Sequence, residues 1–349
     1  MRVEVISAGN ATRWDAVVRA SQYYDFYHLA AYHEIAQSRR EGTAFLYRLE
    51  EGQYWLAIPL LVRPVAEVAG LEAFDWSDAT SVYGYAGPVV SHDRFPADLY
   101  PQFTSSLAST LRSQGVVAVF SRLHPFLPQA AALQGAGEIR EVGPTVWVDL
   151  TAPEAVQWNE VRARHRTAIN RLRREGFNCG LDESLAHLEQ FVRAYHETMA
   201  RVGAGRYYYF EREYFERLLA AKTIGAKLFV CKRGQDFACG GIFVACNRFI
   251  QYHLGGTVTS YLRHAPMKLL FDEVRRWGTQ AGAAILHLGG GVGASQDGLF
   301  FFKAGFSRRR ATFCTWRWIL DEVAVARLCA ARGGTGSAAD VPFFPPYRA

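Results

Sequence analysis

The sequence predicts an α/β (α+β) protein built as two tandem domains, each a mixed central sheet flanked by helices. Three observations predict it. At 349 residues, half of them hydrophobic, the chain suits two domains of about 150 residues, each with a substantial core. Short apolar runs of strand type recur beside stretches whose apolar residues fall at helical spacing. One supersecondary order also occurs twice: LYRLEEGQYWLAIPLLV stands beside LFVCKRGQDFACGGIFV, and LRSQGVVAVFSRLHP beside WGTQAGAAILHLGGG, as repeats of plan rather than of sequence.

In order, Val3 to Ile6 reads as a strand and Ala11 to Ser21 as a helix. Tyr23 to Gln37 is aromatic-rich and helical in its second part. Ala44 to Arg48 and Tyr54 to Leu61 form a hairpin about Glu50 to Gly52. Ala73 to Pro88 reads as an aromatic, glycine-punctuated loop. A helix from Tyr100 to Gln114 ends at Gly115, and Val116 to Ser121 is a strand of parallel-sheet type. The strand Thr145 to Leu150 leads into one helix, with Thr151 and Glu154 at capping-box spacing and Trp158, Val161, His165, Ile169 and Leu172 along one face. We place the domain boundary there: 1–150, then 151–332 beginning with this connector, then an extended tail, 333–349.

The second half continues with a hairpin, Lys227 to Lys232 and Ala238 to Ala245, about Arg233 to Gln235. Phe249 to Leu254 is a strand closed by a turn at Gly255-Gly256. Pro266 opens a helix carrying Leu269, Leu270, Val274 and Trp277 and stopping at Gly282. Ala283 to Leu288 is a short strand ended by Gly289-Gly290-Gly291-Val292-Gly293, and a phenylalanine-rich element carrying Lys303 follows. Ligands usually bind at the loop edge of such a strand–helix–strand unit.

The net charge is +6 with a pI near 9.0, and the excess is local. From Arg162 to Arg174, RARHRTAINRLRR holds six arginines and no acid. A solvated face would explain such a helix, and so would a polyanion such as tRNA, a nucleotide-linked substrate or a membrane surface. No apolar run approaches the ~20 residues that cross a bilayer. The first residues carry charge where a signal peptide needs its apolar region, so the chain reads as cytoplasmic. Six cysteines without a CxxC pair read as reduced thiols. The histidines show neither metal spacing nor a paired nucleophile, so no metal site and no Ser-His-Asp or Cys-His centre is read. Tyr207 and Tyr208, beside Gly203 and Gly205, read either as core or as a mobile wall that stacks on an adenine or a peptide.

The ordered string Gly255-Gly256, Pro266, Gly282, Gly289-Gly290, Asp297-Gly298-Leu299 and Phe302-Lys303-x-Gly305-Phe306 resembles the second acyltransferase-like domain of the FemABX family, enzymes that move aminoacyl groups from charged tRNA onto peptidoglycan precursors. The resemblance implies two tandem acetyltransferase-like (GNAT-like) domains. It also implies an aminoacyl-tRNA co-substrate with no other cofactor, and a peptide or peptidoglycan-precursor amine as acceptor. It places Lys303 at the acyl-transfer centre with Asp297, which is equally a turn former before Gly298. The donor side would comprise Arg162, Arg166, Arg171, Arg173, Gly255, Gly256, Arg263, Gly289, Gly290 and Phe302. Asp75, Asp78, Tyr83, Tyr85, Tyr207 and Tyr208 would line the acceptor side, with Arg39, Arg40 and Arg48 as candidates for a nucleotide diphosphate. Two other readings stay open. An acyl-CoA-dependent N-acyltransferase needs a glycine-bearing pyrophosphate loop, and Thr257 to Pro266, TVTSYLRHAP, has no glycine. A non-catalytic nucleic-acid-binding relative would keep the arginine helix and have no use for Lys303.

Overall fold

Trp55 to Leu61 is buried at every position, so this strand needs cover on both faces of its sheet. The computed structural model, which describes residues 1–333 and 343–349, supplies that cover within one of two units, residues 1–142 with 312–349; residues 143–311 form the other. The first unit opens with β1 (Arg2–Ser7), α1 (Ala11–Arg19), α2 (Ala30–Ser38), β2 (Thr43–Glu51) and β3 (Tyr54–Pro64). It continues with β4 (Ser77–Thr80), β5 (Val89–Val90), α3 (Leu99–Ser113), β6 (Val116–Arg122) and α4 (Gln129–Ala132). The second unit takes β7 (Glu138–Asp149) from Gly143 on, then α5 (Glu154–Glu160), α6 (Ala163–Arg174), β8 (Phe177–Leu181), α7 (Leu188–Arg201) and α8 (Arg212–Ala220). It is completed by β9 (Ala226–Arg233), β10 (Asp236–Cys246), β11 (Phe249–Thr257), α9 (Met267–Gln280), β12 (Ile285–Gly289) and α10 (Gly298–Lys303). The chain returns to the first unit with β13 (Arg310–Ile319), from Thr312 on, and α11 (Glu322–Ala331).

In the first unit the strand order is β1-β2-β3-β4-β6-β13, with β5 on β3, and only β4 and β6 run parallel. Leu107 and Leu111 of α3 pack with Leu49, Ile58, Val119 and Trp316. Two expectations are corrected here. The loop expected over Ala73 to Pro88 contains β4, because its Ala79 is buried between β3 and β6. The domain expected to run to residue 332 instead gives its last strand and helix to the first unit, and the 142/143 division falls ahead of Leu150. Of the tail expected to be extended, residues 334–342 lie outside the described residues. Pro346–Arg348 is a short 3-10 turn, and Phe344 and Tyr347 are buried against Val65, Leu71 and Leu328.

The second unit has the order β7-β12-β11-β10-β9-β8. Ile169 and Leu172 of α6 and Leu269, Leu270 and Val274 of α9 share one core with Phe229 and Phe243 of the sheet. Helix α7 packs on β11, close enough at Gly256 that a side chain there would collide with the Tyr195 backbone. That contact explains why Gly255-Gly256 continues the strand rather than turning it: both are registered against Gly241 and Gly240 of β10. The single connector helix is corrected to two, α5 and α6. Val161 and Arg162 between them are extended, and the Arg162 N–H donates to the Gly305 carbonyl instead of continuing the helix. The expected capping box is absent too, since the Thr151 hydroxyl turns back to the Asp149 carboxylate at 2.6 Å.

Candidate functional site

The site starts from a split between strands of the second unit. Strands β11 and β12 pair in parallel over three positions only, from Phe249↔Ile285 to Gln251↔His287. Past them β11 continues along β10 to Thr257, while β12 ends at Gly289, whose φ of +76° turns the chain. A bulge at His253, between the pairs Ile242↔Leu254 and Phe243↔Tyr252, bends β11 further.

Lys303, the last residue of α10, occupies this split. Its side chain is 6% exposed. The Nζ donates to the Gly290 carbonyl at 2.6 Å, just past β12, and lies 5.6 Å from the ring centroid of Tyr252 on β11. Among the described residues no carboxylate lies within ion-pair distance of it. Burial pulls its pKa down to about 8, with the Asp297 charge opposing. A cation poised this way can hold a developing oxyanion or hand a proton to a leaving alkoxide.

The glycine loop serves this geometry by close packing. A side chain on Gly291 would collide with Ser295 and Asp297, and one on Gly290 would press against the Pro144 carbonyl. Asp297, expected at the reaction centre, is the N-cap of α10. Its Oδ1 accepts from the Phe300 N–H at 2.9 Å and its Oδ2 from the Val292 N–H at 3.1 Å. Burial pushes its carboxyl up, but the N–H groups of Phe300, Val292 and Leu299 outweigh it and hold the pKa below the ordinary value. Both oxygens are occupied, so Asp297 orders the loop rather than exchanging a proton.

Of the remaining expected donor residues, Gly255 is without a side chain because one would collide with the Tyr252 hydroxyl, so it makes room for the ring beside Lys303. Phe302 lends its carbonyl to His165 Nε2 at 3.0 Å and packs among Phe271 and Phe306. The arginine helix divides. Arg173 pairs with buried Asp272 at 2.7 Å, and Arg166 donates to the Trp158 and Asn159 carbonyls, so both hold the fold rather than a ligand. Arg171 reaches Glu175 and the His264 carbonyl, each at 3.5 Å, while Arg162, Arg164 and Arg263 are exposed and have no ion pair among the described residues. Lys268, in the first turn of α9, joins them: its pKa is drawn down by burial and by the charges of Arg164 and Arg171. An anion would relieve that mutual repulsion.

Tyr207 and Tyr208 of the second unit are exposed, in a 3-10 turn held by the Tyr195 hydroxyl on the Tyr208 carbonyl at 2.6 Å. The other expected acceptor residues belong to the first unit, and Asp78 is corrected there. Fully buried, it binds Arg63, Tyr347 and Arg348 and anchors the chain end. Asp75 is exposed, Tyr83 offers its carbonyl to the Tyr32 hydroxyl at 2.8 Å, and Tyr85 packs on Tyr27 and Phe313, where burial raises its pKa. Arg39 and Arg48 are likewise committed, to Glu41 and to Glu4 and Glu50.

Sequence reasoning missed Tyr252, Arg164 and Lys268. The signal for Tyr252 lay in the Gly255 three residues on, whose missing side chain leaves space for a ring. It also missed the buried contact between the Tyr214 hydroxyl and His253 Nε2 at 2.7 Å, where burial drives the imidazole pKa down to about 3 and keeps it neutral. Among the described residues no cluster could hold a metal ion, and no helix is long and apolar enough to cross a membrane.

Residues 159–297 match the acetyltransferase (GNAT) domain family, a span that stops before Lys303. No curated protein matches the chain at the sequence level. Among solved structures, FemX superposes with a TM-score of 0.70 at 12% identity, covering 94% of this chain and 99% of its own. L-PGS from Bacillus licheniformis gives 0.55 at 15% identity, with 92% and 96% covered. A conserved protein of unknown function from Bacteroides thetaiotaomicron gives 0.58 at 9%, with 91% and 99% covered. By fold the chain stands with FemX, and its residues 159–297 are similar to the acetyltransferase (GNAT) domain.

Proposed function

We propose that this protein is an acyltransferase that moves an amino acid from aminoacyl-tRNA to a free amine of a peptide acceptor, forming an amide. The observation that carries the reading is Lys303: a buried ammonium with no carboxylate partner among the described residues, set where β11 and β12 part and shared between Gly290 and Tyr252. The FemX fold and the GNAT match support acyl transfer; the arginines of α6 support a polyanionic donor.

In the reaction the acceptor amine attacks the ester carbonyl of the donor. The C–N bond forms, the carbonyl oxygen takes negative charge, and the Lys303 ammonium stabilises it. Collapse breaks the ester C–O bond; Lys303 hands a proton to the departing ribose oxygen and regains one from the attacking nitrogen, which is left as the neutral amide. The ester is already activated, so positioning supplies most of the acceleration. Arg162, Arg164, Arg171, Arg263 and Lys268 hold donor phosphates through charge alone.

The GNAT match favours a second donor, an acyl-CoA. The Thr259–His264 segment ahead of α9 is a 3-10 turn without glycine, which argues against a backbone cradle for the CoA pyrophosphate. The test compares binding of mixed aminoacyl-tRNA and of acetyl-CoA to purified protein across a salt series. Salt-sensitive tRNA binding without CoA binding is expected. Micromolar CoA binding without tRNA binding would replace the proposal with an acyl-CoA N-acyltransferase.

A further inference from the structure

The proposed reaction uses none of the six cysteines, all of which are free thiols. Three of them stand in one row across adjacent strands: Cys179 of β8 is registered opposite Cys231 of β9, and Cys231 opposite Cys239 of β10. Directly opposed residues of antiparallel strands share a face, with Cα atoms about 4.5–5.5 Å apart. That spacing falls inside the roughly 4.4–6.8 Å a disulfide spans.

Accessibility differs along the row. Cys231 and Cys239 are fully buried, whereas Cys179 is half-buried on β8, which ends the strand order of this unit and pairs only with β9. Hydrogen bonds from Cys179 and then Cys239 to the Cys231 sulfur draw the Cys231 pKa down, while burial raises those of its two neighbours. The middle sulfur is therefore the better nucleophile and the edge sulfur the more accessible one.

We propose that Cys179 and Cys231 form a modification site at which hydrogen peroxide oxidises the two thiols to a cross-strand disulfide, which an added thiol reduces again. Cys179 reacts first because it is the sulfur a peroxide can reach: it attacks one peroxide oxygen, the O–O bond breaks, the thiol proton joins the departing hydroxide as water and Cys179 becomes a sulfenic acid. The Cys231 sulfur then attacks the Cys179 sulfur, the S–O bond breaks, a second water leaves and the disulfide closes. Two thiols lose one electron each, and the two peroxide oxygens are reduced to water. Because β8 follows α6 directly through Gly176, the bond fastens the foot of the arginine helix to β9.

The experiment treats the full chain with hydrogen peroxide and maps peptides without reduction, then again after dithiothreitol. One cross-linked peptide joining Cys179 to Cys231 is expected, and it disappears on reduction. Cys179→Ser should abolish it, and Cys231→Ser should leave Cys179 as a sulfenic acid that dimedone captures. Cys314, also half-buried but facing Leu123 across its ladder, is the internal control and should form no intramolecular link. A Cys231–Cys239 link, or Cys179 still reduced when Cys314 has been oxidised, would overturn the assignment. The wild-type mapping decides this even if a variant fails to fold.

Discussion

Arg275 and Lys303 are both buried cations of the second unit, 2% and 6% exposed, but their surroundings differ. The Arg275 guanidinium meets Asp272 at 3.0 and 2.9 Å, the Gln157 side-chain oxygen at 2.9 Å and Glu154 at 3.5 Å. Asp272 in turn receives Arg173. Lys303 has one carbonyl and the face of a tyrosine. A buried charge with its full set of partners is what a fold needs to close its core. A buried charge left short of them costs stability and is retained where chemistry uses the unmet capacity. The contrast fits Arg275 to architecture and Lys303 to the proposed reaction.

The largest expected effect breaks the architectural side. Asp272→Ala strands Arg275 and releases Arg173, and it should lower unfolding free energy by about 3–5 kcal/mol in urea denaturation. Transfer per folded molecule should be unchanged. A stable variant that has lost transfer would mean that the Asp272 cluster belongs to the site.

Next, Lys303→Ala should cut transfer by ~100-fold or more, as removal of one oxyanion-stabilising donor does. Lys303→Met should be equally slow yet more stable. Below pH 8 the lysine is charged in both folded and unfolded chains, and the folded form carries the burial penalty. Between about 8 and 10.5 the unfolded chain binds a proton that the folded chain does not, so wild-type stability rises with pH. The Met variant should therefore lead the wild type by up to roughly 3 kcal/mol at pH 7, and the lead should vanish near pH 10.5. A Met variant less stable than wild type at pH 7 would make Lys303 a structural residue.

The same ionisation sharpens the rate argument. If the ammonium form acts, wild-type transfer should fall tenfold per pH unit above about 8, once the acceptor amine is held neutral. A rate that instead rises through about pH 8 to a plateau would assign Lys303 the role of a base.

How much of this was legible in the sequence depended on whether the signal was local. The two hairpins, the helix after Pro266 and the strand before the glycine loop follow from period and punctuation, and they fall where expected. Strand β4 was not legible, because its place between β3 and β6 comes from partners distant in sequence. Neither was the return of β13 to the first unit. The string ending in Lys303 marked the region, but a motif lists residue types and not their bonds. Only the structure separates Lys303, with capacity to spare, from Asp297, whose two oxygens cap a helix and close a loop. The same holds within α6, where five arginines look alike in sequence and differ by what lies across from each.

That difference inside α6 gives the smallest expected effect and the finest test of the comparison. Arg164 is exposed, has no ion pair among the described residues and helps to depress the pKa of Lys268; Arg173 is bound to Asp272. If donor phosphates are held by charge, Arg164→Ala should weaken tRNA binding evenly across tRNA sequences and reduce the slope of log affinity against log salt by about one. Arg173→Ala should leave that slope alone and lower the unfolding midpoint instead, because Asp272 loses one of its two arginines. Binding titrations at four salt concentrations on the two variants separate the cases. Equal slope changes would mean that the helix acts as one undivided field of charge, and that the pairing with Asp272 does not withdraw Arg173 from the donor.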